Sequence, residues 1–185
     1  MKKILLIYLL FFTNLNANDF KLEKIIQGFD SPWSLTFIDS KTLLVTEKPG
    51  NIKLVNLKEK IIKDISHNLK ILVDGQGGLL DILHKDSIVF VSYSENRSNG
   101  MSSTSVARAK LNTKKLSFKN IFQAQPPINS GYHFGSRLVI KNKHLYVTAG
   151  ERGEGMIAQD FTKHPGSIIR INLDGSIPKD NPKFI

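Results

Sequence analysis

The sequence predicts an all-β fold, and more specifically part of a β-propeller. Short apolar or alternating runs, rich in β-branched and aromatic residues, recur after Asn18 and are separated by turn residues. No long amphipathic helix interrupts them. The runs also repeat with a period of about 50 residues, and a period of this size built from several short strands is typical of propeller blades. A β-sandwich with coincidental spacing is the alternative.

Three copies of the repeat can be aligned. Each has a glycine, proline or small-residue lead-in, a short strand, a polar turn and an apolar strand that ends in Val-Thr or Val-Ser. Val45, Val91 and Val147 mark equivalent positions. The paired runs are 32–37 with 43–47, 77–82 with 89–93, and 135–140 with 145–148, and a further strand follows each pair at 51–56, 104–111 and 167–172.

Residues 1–17 have the pattern of a bacterial secretory signal peptide. Lys2 and Lys3 form a basic start, an apolar stretch extends from Ile4 to Phe12, and Ala17 is a small residue at the expected cleavage point. The apolar stretch is well short of the ~20 residues that a membrane-spanning helix needs. The sequence therefore predicts export to the periplasm or the medium, with no stable membrane span after cleavage.

Composition narrows the possible chemistry. The chain has no cysteine, so disulfides, thiolate metal sites and cysteine nucleophiles are excluded. Its formal net charge is +10, carried by scattered lysines rather than by a basic helix or an arginine-rich arm. This distribution argues against nucleic-acid binding. It leaves two interpretations open, an ordinary basic surface and a cavity that attracts small anions.

Removal of residues 1–17 leaves 168 residues, which is little more than three blades, whereas propellers typically have ~4 to 8. We therefore expect residues 18–185 to form an incomplete propeller, as the N-terminal half of a larger domain or as a split or truncated gene product. An incomplete ring leaves sheet edges and blade faces uncovered.

Collinear motifs identify a family. They are Ser31-Pro32-Trp33, residues 44–50, Gly75-Gln76-Gly77-Gly78-Leu79-Leu80-Asp81, His133-Phe134-Gly135-Ser136-Arg137-Leu138, Gly150-Glu151-Arg152-Gly153, Ala158-Gln159-Asp160 and residues 169–178. Over residues 25–182 and in this order, the chain resembles soluble dehydrogenases of sugars that depend on pyrroloquinoline quinone (PQQ). Among these it is most similar to the aldose sugar dehydrogenases of the glucose/sorbosone dehydrogenase family.

The resemblance implies a six-bladed propeller with PQQ and a calcium ion at the mouth of its channel. It also implies oxidation of the anomeric hydroxyl of an aldose to a lactone, by hydride transfer to the quinone, with electrons passed to an acceptor that the sequence leaves unspecified. His133 occupies the family's base position. An imidazole suits this role because its ordinary pKa of ~6.5 leaves it neutral and basic near physiological pH. A structural loop histidine is the alternative.

Other site residues follow from the same resemblance. Gln76 matches a polar group of the cofactor and substrate pocket, although it could also be only a turn residue. Arg137 and Arg152 are candidates for binding the carboxylates of PQQ, because a guanidinium group complements a carboxylate. Each arginine could instead lock a loop. No metal ligand is assigned, and the calcium ligands are expected outside this chain.

Four positions differ from the family pattern: Tyr132, Glu151, Pro165 and Ser167. The basic residues with which the family binds the PQQ carboxylates lie mostly in later blades. The chain alone is therefore expected to bind a trianionic cofactor poorly. A non-catalytic exported propeller fragment, either a decayed enzyme or a carbohydrate-binding or assembly module, is the alternative function.

Overall fold

The structure, a computed structural model, describes residues 21–182 and consists almost entirely of β-strands. Over this range it contains twelve strands and one short 3-10 helix, Gly155–Gln159. The strands form three sheets, which are three consecutive propeller blades. The predicted signal peptide, residues 1–17, lies outside the described residues. Within the described part, no helix is long and apolar enough to cross a membrane.

The blades follow the chain in order. Blade 1 consists of β1 (Pro32–Phe37), β2 (Thr42–Glu47), β3 (Asn51–Asn56) and β4 (Ile61–His67), with the short strand β8 (Lys115–Leu116) parallel to β4. Blade 2 consists of β5 (Leu79–Lys85), β6 (Ile88–Asn96), β7 (Ser102–Lys110) and β9 (Lys119–Gln123). Blade 3 consists of β10 (Gly135–Lys141), β11 (His144–Ala149) and β12 (Ile168–Asn172).

The predicted repeat is confirmed by the register of the sheets. In each blade the first strand pairs with the second so that an apolar residue lies opposite the marker valine: Leu35 opposite Val45, Ile82 opposite Val91, and Leu138 opposite Val147. Each first strand also has a register shift just before this pair. Such a shift is typical of a β-bulge, which bends and twists a strand. The first two strands of the three blades are thus equivalent in register.

Apolar side chains fill the spaces between adjacent sheets. Phe90 and Val106 of blade 2 pack with Leu138, Leu145 and Val147 of blade 3. A second cluster joins blades 1 and 2 through residues that include Leu44, Ile52, Ile82, Val91 and Tyr93. Because neighbouring residues of a strand point to opposite faces, blade 2 buries one set of side chains against blade 1 and the other set against blade 3.

The first strand of blade 2, β5, packs against the first strands β1 and β10 of its two neighbours, and the three strands line the centre of the arrangement. Loops 68–78 and 124–134 enter β5 and β10. Loops 48–50 and 150–167 connect the second and third strands of blades 1 and 3. Antiparallel pairing brings all of these loops to the end of the blades where the first strands begin. This end, here called the mouth, carries the candidate site.

Candidate active site at the channel mouth

Loops from two different blades meet at the mouth through Gln76 and His133. The backbone N–H of His133 donates to the Gln76 side-chain oxygen at 2.9 Å, and the backbone N–H of Gln76 donates to the carbonyl of Gly131 at 2.7 Å. Both predicted residues are therefore in one site. Within residues 21–182 the side-chain nitrogen of Gln76 has no acceptor, so its two N–H groups are available at the exposed mouth.

The second partner of His133 is Glu151. The His133 Nδ1 atom contacts a carboxylate oxygen of Glu151 in a short hydrogen bond. The β10–β11 hairpin explains this contact: Gly135 pairs with Ala149, and the two functional residues each lie two positions beyond that pair. Because the Nδ1–H group donates a hydrogen bond to the carboxylate, the Nε2 atom carries no proton when the imidazole is neutral.

Glu151 is held in its charged form. The hydrogen bond from His133 is the largest cause that lowers the pKa of the Glu151 carboxyl below its ordinary value, and the N–H of Gly153 donates to the same oxygen at 3.1 Å. Since its pKa in the folded state is depressed, the stabilising contribution of this carboxylate is present at neutral pH. It is lost only as the pH falls through that lowered value.

The approach of the loops depends on glycines. A Cβ atom at Gly150 would lie 1.9 Å from the carbonyl oxygen of His133, and one at Gly75 would lie 2.5 Å from the carbonyl oxygen of Gly131. Both distances are far below van der Waals contact. His133 itself has a φ of 46°, in the left-handed region. The close packing of Gly150 on His133 and of Gly75 on Gly131 thus fixes the backbone from which the imidazole projects.

Arg152 lies beneath the site, not in it. Its side chain is only 2% exposed, and the guanidinium makes four hydrogen bonds, to the carbonyls of Tyr132, Ser102 and Ser130 and to the Ser102 hydroxyl. It also stacks on the Phe134 ring, with the central carbon 3.6 Å from the ring centroid. Burial lowers the pKa of this group to about 10, so it stays charged at neutral pH. These contacts favour loop locking over carboxylate binding.

A substitution of Arg152 tests this interpretation. Arg152→Met leaves buried carbonyl groups without donors, and we expect it to lower the free energy of unfolding by about 3 kcal/mol. Lys141→Met, at an exposed basic side chain of β10, serves as the control and should cost less than ~1 kcal/mol. Urea unfolding followed by fluorescence of Trp33 measures both variants. Unchanged stability of Arg152→Met together with weaker PQQ binding would contradict the locking role.

Arg137 lies below the mouth on β10. Its guanidinium pairs with Asp81 at 3.2 Å, and its side chain is 63% exposed. Asp81 also accepts the backbone N–H of Leu138 at 2.8 Å and the hydroxyl of Ser34 at 2.5 Å. The first strands of all three blades are therefore tied together around one carboxylate. Of the two roles considered from the sequence, binding of a PQQ carboxylate and locking of the structure, this network favours the structural one for Arg137.

Two residues at the mouth were not predicted as site residues. Glu151 was noted only as a departure from the family pattern, although the hairpin that brings it to His133 could be inferred from the β10–β11 repeat. Lys48 contacts the carbonyl of Gly75 through its ammonium group, and its own carbonyl accepts the N–H of Leu79 at 3.1 Å. Lys48 thereby anchors the loop that carries Gln76 to blade 1.

The described residues contain no group of three or more histidine or acidic side chains that could hold a metal ion.

Sheets arranged as blades around a centre, with an imidazole–carboxylate pair and an open amide at one mouth, define a β-propeller protein with a polar site at the end of its channel. The family model described as Glucose / Sorbosone dehydrogenase matches residues 29–184. The chain belongs to this family.

Individual relatives agree with this assignment. The chain is 31% identical to aldose sugar dehydrogenase YliI of Escherichia coli (strain K12) over 87% of its own length and 46% of that protein. It is 25% identical to quinoprotein glucose dehydrogenase B of Acinetobacter calcoaceticus, over 94% and 43%. The crystal structure of the soluble E. coli aldose sugar dehydrogenase in its apo-form superposes with a TM-score of 0.81 at 30% identity, covering 86% and 49%. The chain thus spans about half the length of these relatives.

Proposed function

We propose that this chain supplies the base-bearing half of an exported, PQQ-dependent dehydrogenase that oxidises the anomeric hydroxyl of an aldose to a lactone. The observation that carries the proposal is the position of His133 at the mouth: Gln76 binds its backbone N–H, Glu151 binds its imidazole, and its side chain is 52% exposed. Export is supported by the signal-like residues 1–17. The related A. calcoaceticus enzyme is named a quinoprotein, which supports the choice of cofactor.

In this proposal Gln76 would help to hold PQQ, which would supply the acceptor for the hydride of the anomeric carbon. The residues of this chain manage the proton. The Nε2 lone pair of His133 accepts the proton of the anomeric hydroxyl, so that the C–O bond becomes the carbonyl of the lactone. The Glu151 carboxylate keeps Nδ1 protonated and stabilises the imidazolium that forms.

Of the cofactor contacts that the proposal needs, this chain can supply one hydrogen-bond donor, the side-chain amide of Gln76. The free amide N–H groups of Gln76 can donate to an oxygen of the quinone or of the sugar, next to the base. Among the described residues, however, Lys48 and Arg152, two basic side chains that contact the loops of the mouth, are already bonded to backbone carbonyls. Cationic partners for the three carboxylates of PQQ are therefore expected from the remaining blades of the completed propeller.

The Gln76 assignment predicts a defect in binding. In the completed propeller, Gln76→Leu should raise the dissociation constant of PQQ or the KM for the aldose by about tenfold, because an oxygen of the quinone or of the sugar loses its hydrogen-bond donor. Gln27→Leu, at an exposed amide on the N-terminal segment, is the matched control. Fluorescence titration with PQQ in the presence of Ca²⁺ and steady-state reduction of an artificial acceptor measure the two constants. Wild-type values for both would leave Gln76 as a turn residue.

A non-catalytic module is the second candidate, favoured by the lack of a free cationic cradle among residues 21–182. The two functions differ in what the protein binds. Calorimetric titration that detects an aldose but no PQQ would favour the non-catalytic module. Binding of PQQ, followed by aldose-dependent reduction of an artificial acceptor, would favour the dehydrogenase.

A further inference from the structure

Tyr132 presents an exposed aromatic ring beside the base of the candidate site. The residue is 61% exposed, and the centroid of its ring lies 6.1 Å from that of the His133 imidazole, with an angle of 59° between the two planes. Among residues 21–182 its phenol hydroxyl has no hydrogen-bond partner. Single exposed aromatic residues are common on protein surfaces, but this one adjoins the imidazole. The ring is therefore part of the surface that a substrate of His133 meets.

Hydrogen bonds fix the backbone of Tyr132 on both sides. The carbonyl of Gly131, before it, accepts the backbone N–H of Gln76 at 2.7 Å, and the N–H of His133, after it, donates to the Gln76 side chain at 2.9 Å. The carbonyl of Tyr132 itself accepts from Nε of the buried Arg152 at 2.8 Å. The point from which the ring projects is thus set before a ligand arrives, and such preorganisation lowers the cost of binding.

The loop that carries Glu151 leaves space for the ring. A Cβ atom at Gly153 would lie 3.9 Å from Cδ2 of Tyr132, so the ring lies beside Gly153. Gly153 has a φ of 81°, in the region that favours glycine. The ring of Tyr132 therefore borders both loops that form the imidazole–carboxylate pair, and most of its surface is left open to the mouth.

The groups around this ring suit a neutral sugar. An aromatic face, the free amide of Gln76 and the His133 imidazole lie together, and an aromatic face offers apolar contact area without a net charge. An aldopyranose with equatorial hydroxyls presents C–H groups on its faces, which complement such a ring. An axial hydroxyl would instead place a polar group against the ring, where it loses water without gaining a hydrogen bond. The ring can therefore distinguish aldoses by the orientation of their hydroxyls.

We propose that Tyr132 determines the specificity of the sugar site. Its ring packs on the C–H face of the aldose while His133 accepts the proton of the anomeric hydroxyl, and this contact favours aldopyranoses with equatorial hydroxyls over those with an axial one. The inference rests on the proposed function for the class of substrate. Tyr132 is one of the positions at which the chain differs from the family pattern, so the contact distinguishes this chain from its relatives.

Steady-state kinetics of the completed propeller test this role. Tyr132→Ala should raise the KM for glucose by about tenfold and leave kcat and the PQQ affinity unchanged, because the apolar contact is lost and the base is kept. The kcat/KM preference for glucose over mannose, its epimer with an axial hydroxyl, should fall by about threefold. Tyr132→Phe keeps the ring and is the matched control, expected within about twofold of the wild type.

Two kinetic outcomes would overturn the inference. In the first, Tyr132→Ala is active with an unchanged KM and an unchanged preference between the two sugars. In the second, kcat and the free energy of unfolding fall together while the preference stays the same, which would show that the ring only supports the loop. Urea unfolding of Tyr132→Ala and Tyr132→Phe supplies the stability measurement.

A binding measurement separates this inference from the redox chemistry. In the completed propeller with ring-labelled tyrosine, the resonance that is missing from Tyr132→Phe identifies the Tyr132 ring. Titration with glucose, in the presence of PQQ and Ca²⁺ and without an electron acceptor, should shift this resonance saturably. A saturable shift in a protein that oxidises no aldose would support the sugar contact and refute the proposed function. An unshifted resonance in an active enzyme at saturating glucose would overturn the sugar contact and leave the proposed function standing.

Discussion

His133→Ala is expected to lower kcat of the completed propeller by about 10² to 10⁴-fold, the usual contribution of a general base. The loss should appear in kcat more than in the affinity for PQQ, because the cofactor contacts assigned to this chain come from Gln76. The backbone N–H of residue 133 can still donate to Gln76, so the loop contact survives the substitution. Steady-state kinetics with an aldose and an artificial electron acceptor measure the effect.

His144→Ala is the control for this prediction. His144 begins β11 and pairs with Lys141, at the end of blade 3 opposite the mouth, so its loss should leave kcat unchanged. Added imidazole should restore part of the activity of His133→Ala but not of an unrelated inactive variant. Full activity of His133→Ala without added base would disprove the catalytic assignment.

The inner part of the fold could be predicted from the sequence, and the outer part could not. Strands such as β2 and β6 are buried on both sides, so they appear as continuous apolar runs ending in Val-Thr or Val-Ser. The outer strands β4 and β9 were not predicted. Their sequences mix lysine, aspartate, asparagine and glutamine with apolar residues, and they are only partly buried. A half-solvated edge strand has too weak a pattern to separate from a loop.

Only part of the candidate site could likewise be predicted from the sequence. His133 and Gln76 were predicted as site residues, since both lie in motifs that resemble a known family. The role of Glu151 depends on the register of a hairpin, which places it beside an imidazole 18 residues away. The burial of Arg152 depends on the carbonyls of three separate positions, one of them in blade 2. Such tertiary contacts leave no periodic signal in the sequence.

Glu151→Gln is expected to lower kcat by about 10- to 1000-fold while leaving PQQ binding unchanged. The amide has the size of the carboxylate but no charge, and its N–H₂ can donate to Nδ1 of His133. The imidazole would then carry its proton on Nε2, where the substrate proton has to be accepted. Glu151 touches only the base in this mechanism, so it acts as a positioning residue and not as a catalytic one.

The dependence of kcat/KM on pH distinguishes two roles of Glu151, positioning of the His133 imidazole and support of the loop structure. In the wild-type protein the Glu151 carboxyl stays ionised through the neutral range, because the hydrogen bond from His133 lowers its pKa. The support that this carboxylate gives to the base is lost only as the pH falls through its lowered pKa, so the loss of kcat/KM that follows this protonation in the wild type should be absent from the profile of Glu151→Gln. Glu151→Asp keeps the charge and should stay within about tenfold of the wild type. An unshifted profile in the glutamine variant, with stability and PQQ affinity equally reduced, would show instead that Glu151 only holds the loop through Gly153.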